Sequence, residues 1–351
     1  MEGLMRDNAY LKWMAENTDT RWCNDSALRS DYSAALEYGA VGCTTNPPLS
    51  FEALTTETDR FQARVEEIRS GFSGREKVLE YFRLLVPEIA GEFLPVYERS
   101  NGKTGYVRSQ VEPRLSGDGQ AMLAMGKTIS TFCKNVMVKI PGTMAGVQVL
   151  EELAALGIAT TPTVCVSVSQ LVAVAQAYER GIARAKKAGL PVPASTAAFV
   201  MGRLQDYLAS LNEERGKPVS TEDLETAVLA AVKRCYGIFK KEGYSQTIMP
   251  AAFRCARQIS ELTGGIFEMT IHPKYQELVS QADKNGYIKR EKRIDAPVDD
   301  AAVDRVLKAL PEFRKAYEPE GMSIEEFDSY GGVIMTLDGF DKTGWQKLLA
   351  L

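Results

Sequence analysis

The chain has 351 residues, enough for one large domain or two ordinary ones, and its 45% apolar and 25% charged residues are the balance of a globular enzyme. A formal charge of −4 excludes the basic face that a general nucleic-acid binder needs, no apolar run approaches membrane-spanning length, and residues 1–14 lack a signal-peptide core, so a cytoplasmic location is expected. Six scattered cysteines without a Cys-x-x-Cys pair and a single histidine, His272, exclude the usual zinc site and most Ser–His and Cys–His nucleophile schemes. No metal or other cofactor is expected; lysine, carboxyl and hydroxyl groups must carry any chemistry.

Residues 1–18 have the pattern of a short amphipathic helix. A strand over 20–25 ends at Asp25, and a helix over 30–38 is stopped by Gly39. A second short strand, 41–45, is stopped by Asn46-Pro47-Pro48. Residues 56–70 and 74–93 alternate charged and apolar residues at helical spacing. A third strand over 106–112 ends before Pro113, and a helix over 121–131 follows. The fourth strand, Asn135-Val136-Met137-Val138-Lys139-Ile140, is β-branched and apolar with one charge near its end, and Pro141-Gly142 stops it. A helix over 145–156 leads to a fifth strand, 158–166, and an alanine-rich helix over 169–189. The sixth strand is 195–201, leading to Gly202-Arg203. After a long helix over 221–242, a seventh strand over 247–252 leads to Phe253-Arg254. A helix over 257–263, an eighth strand over 267–271 and a helix over 273–282 complete the pattern, with His272 at a strand end.

Strand and helix alternate with short junctions, which implies parallel βαβ units. Eight strands in a chain of this length predict a closed (β/α)₈ TIM barrel, an α/β fold, with additional N- and C-terminal helices. No Gly-x-Gly-x-x-Gly or Walker loop is present, which disfavours nucleotide binding. The tail is less regular. The run Lys289-Arg290-Glu291-Lys292-Arg293 reads as a solvated segment. Residues 332–337 read as strand-like and 342–349 as a closing helix. The expectation is one domain over 1–351, with about 283–351 an extension packed on the barrel.

Active sites of such barrels lie at the C-terminal ends of the strands. Those ends present Asp25, Asn46, Gln110 and Glu112, Lys139, Thr161 and Thr163, Arg203, and Arg254. Each has an ordinary reading alone: Asp25 as a loop cap, Asn46 as a turn signal, the threonines as strand residues, the arginines as surface charges. Together they supply an amine, a carboxylate, orienting polar groups and two cations. A strand-end lysine near a carboxylate suits class I aldolase chemistry, in which the amine condenses with a ketone and a carboxylate moves protons. Two arginines suit a phosphate or similar anion at the far end of the substrate.

At these residues the sequence resembles the transaldolase family. Gly42-Cys43-Thr44-Thr45-Asn46-Pro47-Pro48-Leu49 is similar to that family's Thr-Thr-Asn-Pro-Ser-Leu motif. Val138-Lys139-Ile140-Pro141-Gly142-Thr143-Met144-Ala145-Gly146 is similar to its Schiff-base lysine motif. Ile248-Met249-Pro250-Ala251-Ala252-Phe253-Arg254 is similar to its Ile-Met-Gly-Ala-Ser-Phe-Arg segment. The resemblance runs from about 20 to 282 and implies a (β/α)₈ barrel, pentose-phosphate-pathway chemistry and phosphorylated sugars as substrates, with no membrane or nucleic-acid partner. It implies Lys139 as nucleophile, Asp25 as the group that handles sugar-hydroxyl protons, and Asn46 and Thr161 as donor-orienting residues. Thr163 would help to hold a catalytic water, and Arg203 and Arg254 would bind the phosphate.

Three departures bear on the reaction. Gln110 stands where typical members place a catalytic glutamate, as it does in the fructose-6-phosphate aldolase branch; glutamine holds a water but cannot shuttle a proton. Glu112, two residues on, has the inward parity of the strand and is a possible accessory group. Val200 replaces the phenylalanine of transaldolases and the tyrosine of the aldolase branch. Ala252 and Ala198 replace serines that assist the phosphate site, which leaves phosphate, sulfonate and a differently sized sugar tail as options. The expected activity is transfer of a dihydroxyacetone unit between sugar phosphates. The alternatives are an aldolase of the same family and a sugar-phosphate-binding barrel without turnover. The oligomeric state stays open, a homo-oligomer being one option.

Overall fold

The computed structural model describes residues 8–351. Of the helix expected over 1–18, Ala9–Asn17 is helical, and residues 1–7 lie outside the described residues. The strands are β1 (Arg21–Asn24), β2 (Cys43–Thr44), β3 (Val107–Gln110), β4 (Val136–Pro141), β5 (Thr160–Thr163), β6 (Thr196–Phe199), β7 (Thr247–Pro250) and β8 (Glu268–Ile271). All pair in parallel, β5-β4-β3-β2-β1-β8 in one sheet and β6-β7 in another. Bridges Thr160–Ser195 and Cys165–Phe199 join β5 to β6, and Ile248–Phe267 joins β7 to β8. The ring closes in sequential order. It is a (β/α)₈ TIM barrel, as the alternation of strand and helix predicts.

The turns between strand and helix are chemically specified. Thr143 caps the Met144–Ala155 helix by accepting from the Gly146 N–H at 3.2 Å, so the Pro-Gly-Thr after β4 is a strand stop joined to a helix start. Asn46 caps Pro47–Thr56 in the same way, accepting from the Leu49 N–H at 2.9 Å, with Pro47 at the first helical position. Both caps lie at C-terminal strand ends.

Alternate strand residues point into the barrel. One interior layer holds Arg108 of β3, ion-paired with Glu268 of β8, both fully buried. Arg108 Nη1 also donates to Cys23 Sγ at 3.1 Å, and the Thr161 and Thr196 hydroxyls meet at 3.1 Å above the Met137 thioether. Apolar side chains fill the space between strands and helices.

Two expectations about the tail and β6 are corrected. Residues 332–337 are not strand-like: Gly331–Phe340 is a helix. Its buried positions, Gly332, Val333, Thr336 and Phe340, repeat at helical spacing. A short β-branched apolar run cannot by itself separate strand from buried helix. The expected closing helix begins as a π-helical turn, Asp341–Trp345, and continues as Gln346–Ala350. Arg203 is not a strand-end residue either; it lies in the first turn of a Met201–Glu214 helix. The tail also contains helices Asp300–Ala309 and Pro311–Tyr317. It packs on the barrel's helices through Trp345, edge-on to Phe82 at 5.9 Å, and Tyr330, edge-on to Tyr207 at 5.3 Å. Among the described residues, no helix is long and apolar enough to cross a membrane.

Candidate active site

At the C-terminal end of the barrel a cavity of about 100 Å³ brings together Asp25, Asn46, Lys139, Thr163 and Arg203. Larger cavities open elsewhere, of about 450 Å³ at the N-terminal ends of β7 and β8 and about 560 Å³ beside Gly119–Ser130 and Met144–Ala155. Neither reaches the strand ends where lysine and carboxylate converge, so chemistry and not size selects the small one.

Lys139 is 7% exposed, and its Nζ donates to the Thr45 carbonyl at 3.1 Å. Burial pushes its amine down from 10.5 to about 8; Asp25 opposes this, and Arg108 below adds to it. Asp25 is the cavity's carboxylate, and its Oδ1 accepts from Thr44 Oγ1 at 2.5 Å. Thr44 Oγ1 also meets Thr270 Oγ1 at 2.6 Å, which fixes the rotamer that supports the carboxylate. Asn46 has its carbonyl engaged in the helix cap, which leaves its NH₂ donors for a ligand. Thr163 is buried, and the next residue, Val164, has a φ of 60°, a strained left-handed conformation for a β-branched side chain.

Gln110 lies in register with Lys139 on the neighbouring strand and shares the inward parity of Arg108. It is 1% exposed, and both its amide oxygen and its amide nitrogen lack a hydrogen-bond partner. Such a group calls for a water or a ligand hydroxyl. Thr161 is a layer deeper, on Thr196 and Met137, and does not line the cavity. Glu112 is outside it too: the turn Pro113–Leu115 breaks the strand alternation, and Glu112 accepts from Arg75 Nε at 2.5 Å. The accessory role expected of Glu112 therefore has no geometric support.

The two arginines are differently engaged. Arg254 is locked: Nε and Nη2 donate to both oxygens of Asp206 at 2.9 and 2.5 Å, and Nη1 donates to the Ala252 and Phe253 carbonyls at 2.7 and 3.0 Å. Among the described residues, the ion pair that Arg203 makes is a distant one, with Asp206 at 4.0 Å. A Cβ on Gly202 would lie 1.7 Å from the Ala252 carbonyl, so only glycine lets the two arginine-bearing segments meet. Burial and the nearby Arg254 charge push the Arg203 guanidinium down from its ordinary value.

Sequence reasoning missed Asp206 and Phe340. Asp206 carried one signal, its i,i+3 spacing from Arg203. Phe340 carried none; its ring lies 5.9 Å from Lys139 Nζ and 6.0 Å from Arg203 Cζ. His272 caps the Pro273–Lys284 helix through Nδ1. Among the described residues, no group of three or more His, Cys, Asp or Glu side chains is placed to hold a metal ion.

Residues 22–321 match the transaldolase/fructose-6-phosphate aldolase family. The chain belongs to that family.

Among curated relatives, "Probable transaldolase" of Dictyostelium discoideum is 26% identical over 316 residues, covering 85% of this chain and 90% of that protein. "Transaldolase 2" of Streptomyces avermitilis is 26% identical over 243 residues, 66% of this chain and 64% of that protein. The transaldolase of Trichodesmium erythraeum is 30% identical over 203 residues, 56% of this chain and 52% of that protein. The chain thus spans less than two thirds of the length of several of the relatives it matches. In this family member, the Asn46 and Lys139 motifs meet in one cavity, which Val200, Ala198, Ala252 and Arg203 also line.

Proposed function

We propose that the chain is a transaldolase that moves a three-carbon dihydroxyacetone unit from a ketose phosphate, such as fructose 6-phosphate or sedoheptulose 7-phosphate, to an aldose phosphate. The observation that carries this reading is a buried lysine amine with a depressed proton affinity, beside a carboxylate, at a barrel mouth. With the amine at about 8, roughly one lysine in ten is neutral at pH 7, against far fewer for an ordinary lysine. Only the neutral amine attacks a carbonyl.

Lys139 Nζ adds to the donor ketone, and loss of water gives an iminium. Asp25 takes the proton of the hydroxyl beyond the breaking C–C bond as that bond's electrons move into the iminium. The aldose leaves, and a three-carbon enamine remains on Lys139. The enamine carbon attacks the acceptor aldehyde, Asp25 returns the proton, and water hydrolyses the product iminium to free the amine. Asn46 orients donor hydroxyls, Thr163 and Gln110 hold water, and Arg203 grips the phosphate while Arg254 and Asp206 frame it. Thr161 supports this set from the layer below. We take 1–351 as one working unit, with 283–351 an extension over the barrel, working in the cytoplasm on intermediates of the pentose phosphate pathway.

A second reading, an aldolase that releases free products, is favoured by Gln110, whose unpaired amide suits a water that would hydrolyse the enzyme-bound fragment. Binding without turnover is disfavoured, because a binder has no use for a buried, destabilising amine. The test is borohydride reduction in the presence of fructose 6-phosphate. A three-carbon or six-carbon adduct on Lys139 supports the reading; an unmodified Lys139 refutes it.

A further inference from the structure

Resting on the Schiff-base reading above, we propose that Phe340 is the wall that keeps the three-carbon fragment from water, so that the C-terminal segment sets the balance between transfer to an acceptor and release of the free ketone. The ring spans the distance between amine and guanidinium, within cation–π range of both. No other aromatic side chain lines the cavity among the described residues. Just after β6, Val200 supplies only a short aliphatic wall. The aromatic face in this chain comes from the Gly331–Phe340 helix instead.

The fold aims that ring and holds it. In a continuous α-helix, residues five apart diverge by about 140° around the axis. The i→i+5 turn at Asp341–Trp345 brings them back to nearly one side. Phe340 can therefore face the cavity while Trp345, fully buried, packs on Phe82. Gly344 lies flush on the helix that Asn46 caps; a Cβ there would sit 2.3 Å from the Pro48 nitrogen. Asp341 is ion-paired with Arg114 at 2.9 Å, which ties the segment to the turn after β3. The wall is thus fastened to the loops following β2 and β3, the first of which begins with Thr45, the acceptor of the Lys139 hydrogen bond.

The enamine has two fates. In transfer, its carbon forms a bond to the acceptor aldehyde carbon, the aldehyde oxygen takes a proton, and water then hydrolyses the product iminium. In release, the same carbon takes a proton from water, and hydroxide or a second water hydrolyses the iminium to dihydroxyacetone and the Lys139 amine. Both regenerate the enzyme; release alone needs water before an acceptor arrives. An aromatic ring over the amine removes the space that this water would occupy.

The measurement is the ratio of free dihydroxyacetone to transferred product at fixed fructose 6-phosphate and aldose phosphate, in native protein, Phe340→Ala, Phe340→Leu and Gly344→Ala, with circular dichroism confirming the fold. A variant that merely loses structure lowers both products together and leaves the ratio alone. We expect Phe340→Ala to raise the ratio about tenfold, equivalent to about 1.4 kcal/mol between the two barriers, and Phe340→Leu to raise it less. Gly344→Ala, which lifts the segment without touching the ring, should raise it as well. If the native protein forms a borohydride adduct on Lys139 and no folded variant shifts the ratio, the proposal for Phe340 is overturned while the Schiff-base reading stands. If the native protein forms no adduct, both fall.

Discussion

Lys139→Met should make the protein more stable at neutral pH while removing its activity. Holding an amine that ordinarily titrates at 10.5 down at about 8 costs the fold about 3 kcal/mol near pH 7. The sign follows from proton counts. Between pH 8 and 10.5 the unfolded chain binds a proton that the folded chain has released, so stability rises with pH across that window. The cost is present in full below pH 8 and is gone above 10.5. Methionine keeps the length of the side chain and removes the titrating group. It also removes the hydrogen bond to the Thr45 carbonyl and leaves that acceptor without its donor, together roughly 1–2 kcal/mol. The net gain is about 1–2 kcal/mol at pH 7, and it should reverse by pH 10.5. Urea unfolding of both proteins at the two pH values isolates Lys139, because every other group titrates alike in each. A variant less stable than the native protein at pH 7, or a difference that does not change with pH, would refute the reasoning.

The two arginines should separate in kinetics. Arg203→Ala should raise KM for phosphorylated donors by roughly 10- to 100-fold with little change in stability, the scale of a lost charge-assisted hydrogen bond. Arg254→Ala should also destabilise the fold by about 1–3 kcal/mol, since it strands Asp206 and two carbonyls; equal stability of the two variants would contradict this. Glu268→Gln should cost roughly 3–5 kcal/mol in denaturant unfolding by leaving Arg108 buried and uncompensated, and pairing it with Arg108→Met should recover most of that loss. Gln110→Glu puts a carboxylate in register with Lys139, stabilises the ammonium, and should move the rising limb of the kcat–pH profile to higher pH; an unmoved limb places Gln110 outside the amine's environment.

The barrel was legible because its strands are short β-branched runs with clear stops, and because each strand end carries its own polar signature. Lys139 stood out as the one charge in an apolar strand. Asn46 and Pro141-Gly142 were visible as turn chemistry, and the structure adds that Asn46 and the following Thr143 are helix caps whose geometry steers the loops beside the amine. What was not legible depends on packing between distant segments. Residues 332–337 have strand-like composition, and only their burial spacing within the folded chain marks a helix. Glu112 had the right parity, but Pro113 turned the chain first. Arg108 and Glu268 gave no hint of partnership, since nothing local says that β3 and β8 face one another across the barrel. Phe340 belongs to the site through the π turn, which no composition announces.

The Arg108–Glu268 pair also bears on how the barrel comes together. β1 pairs with β8 across nearly the whole described chain, so closure is a late, non-local event. Until β8 arrives, Arg108 stands without its partner on the inner face of an open half-barrel. A charge on that face keeps the incomplete sheet hydrated and discourages it from joining a second open sheet through an apolar surface. When the ring shuts, the ions meet, lose their water together, and a partner in the wrong register leaves one of them stranded at a cost of several kcal/mol. A barrel lined there with leucine and methionine would hold together at least as well once formed, but its half-made states would be stickier and less particular about their neighbours.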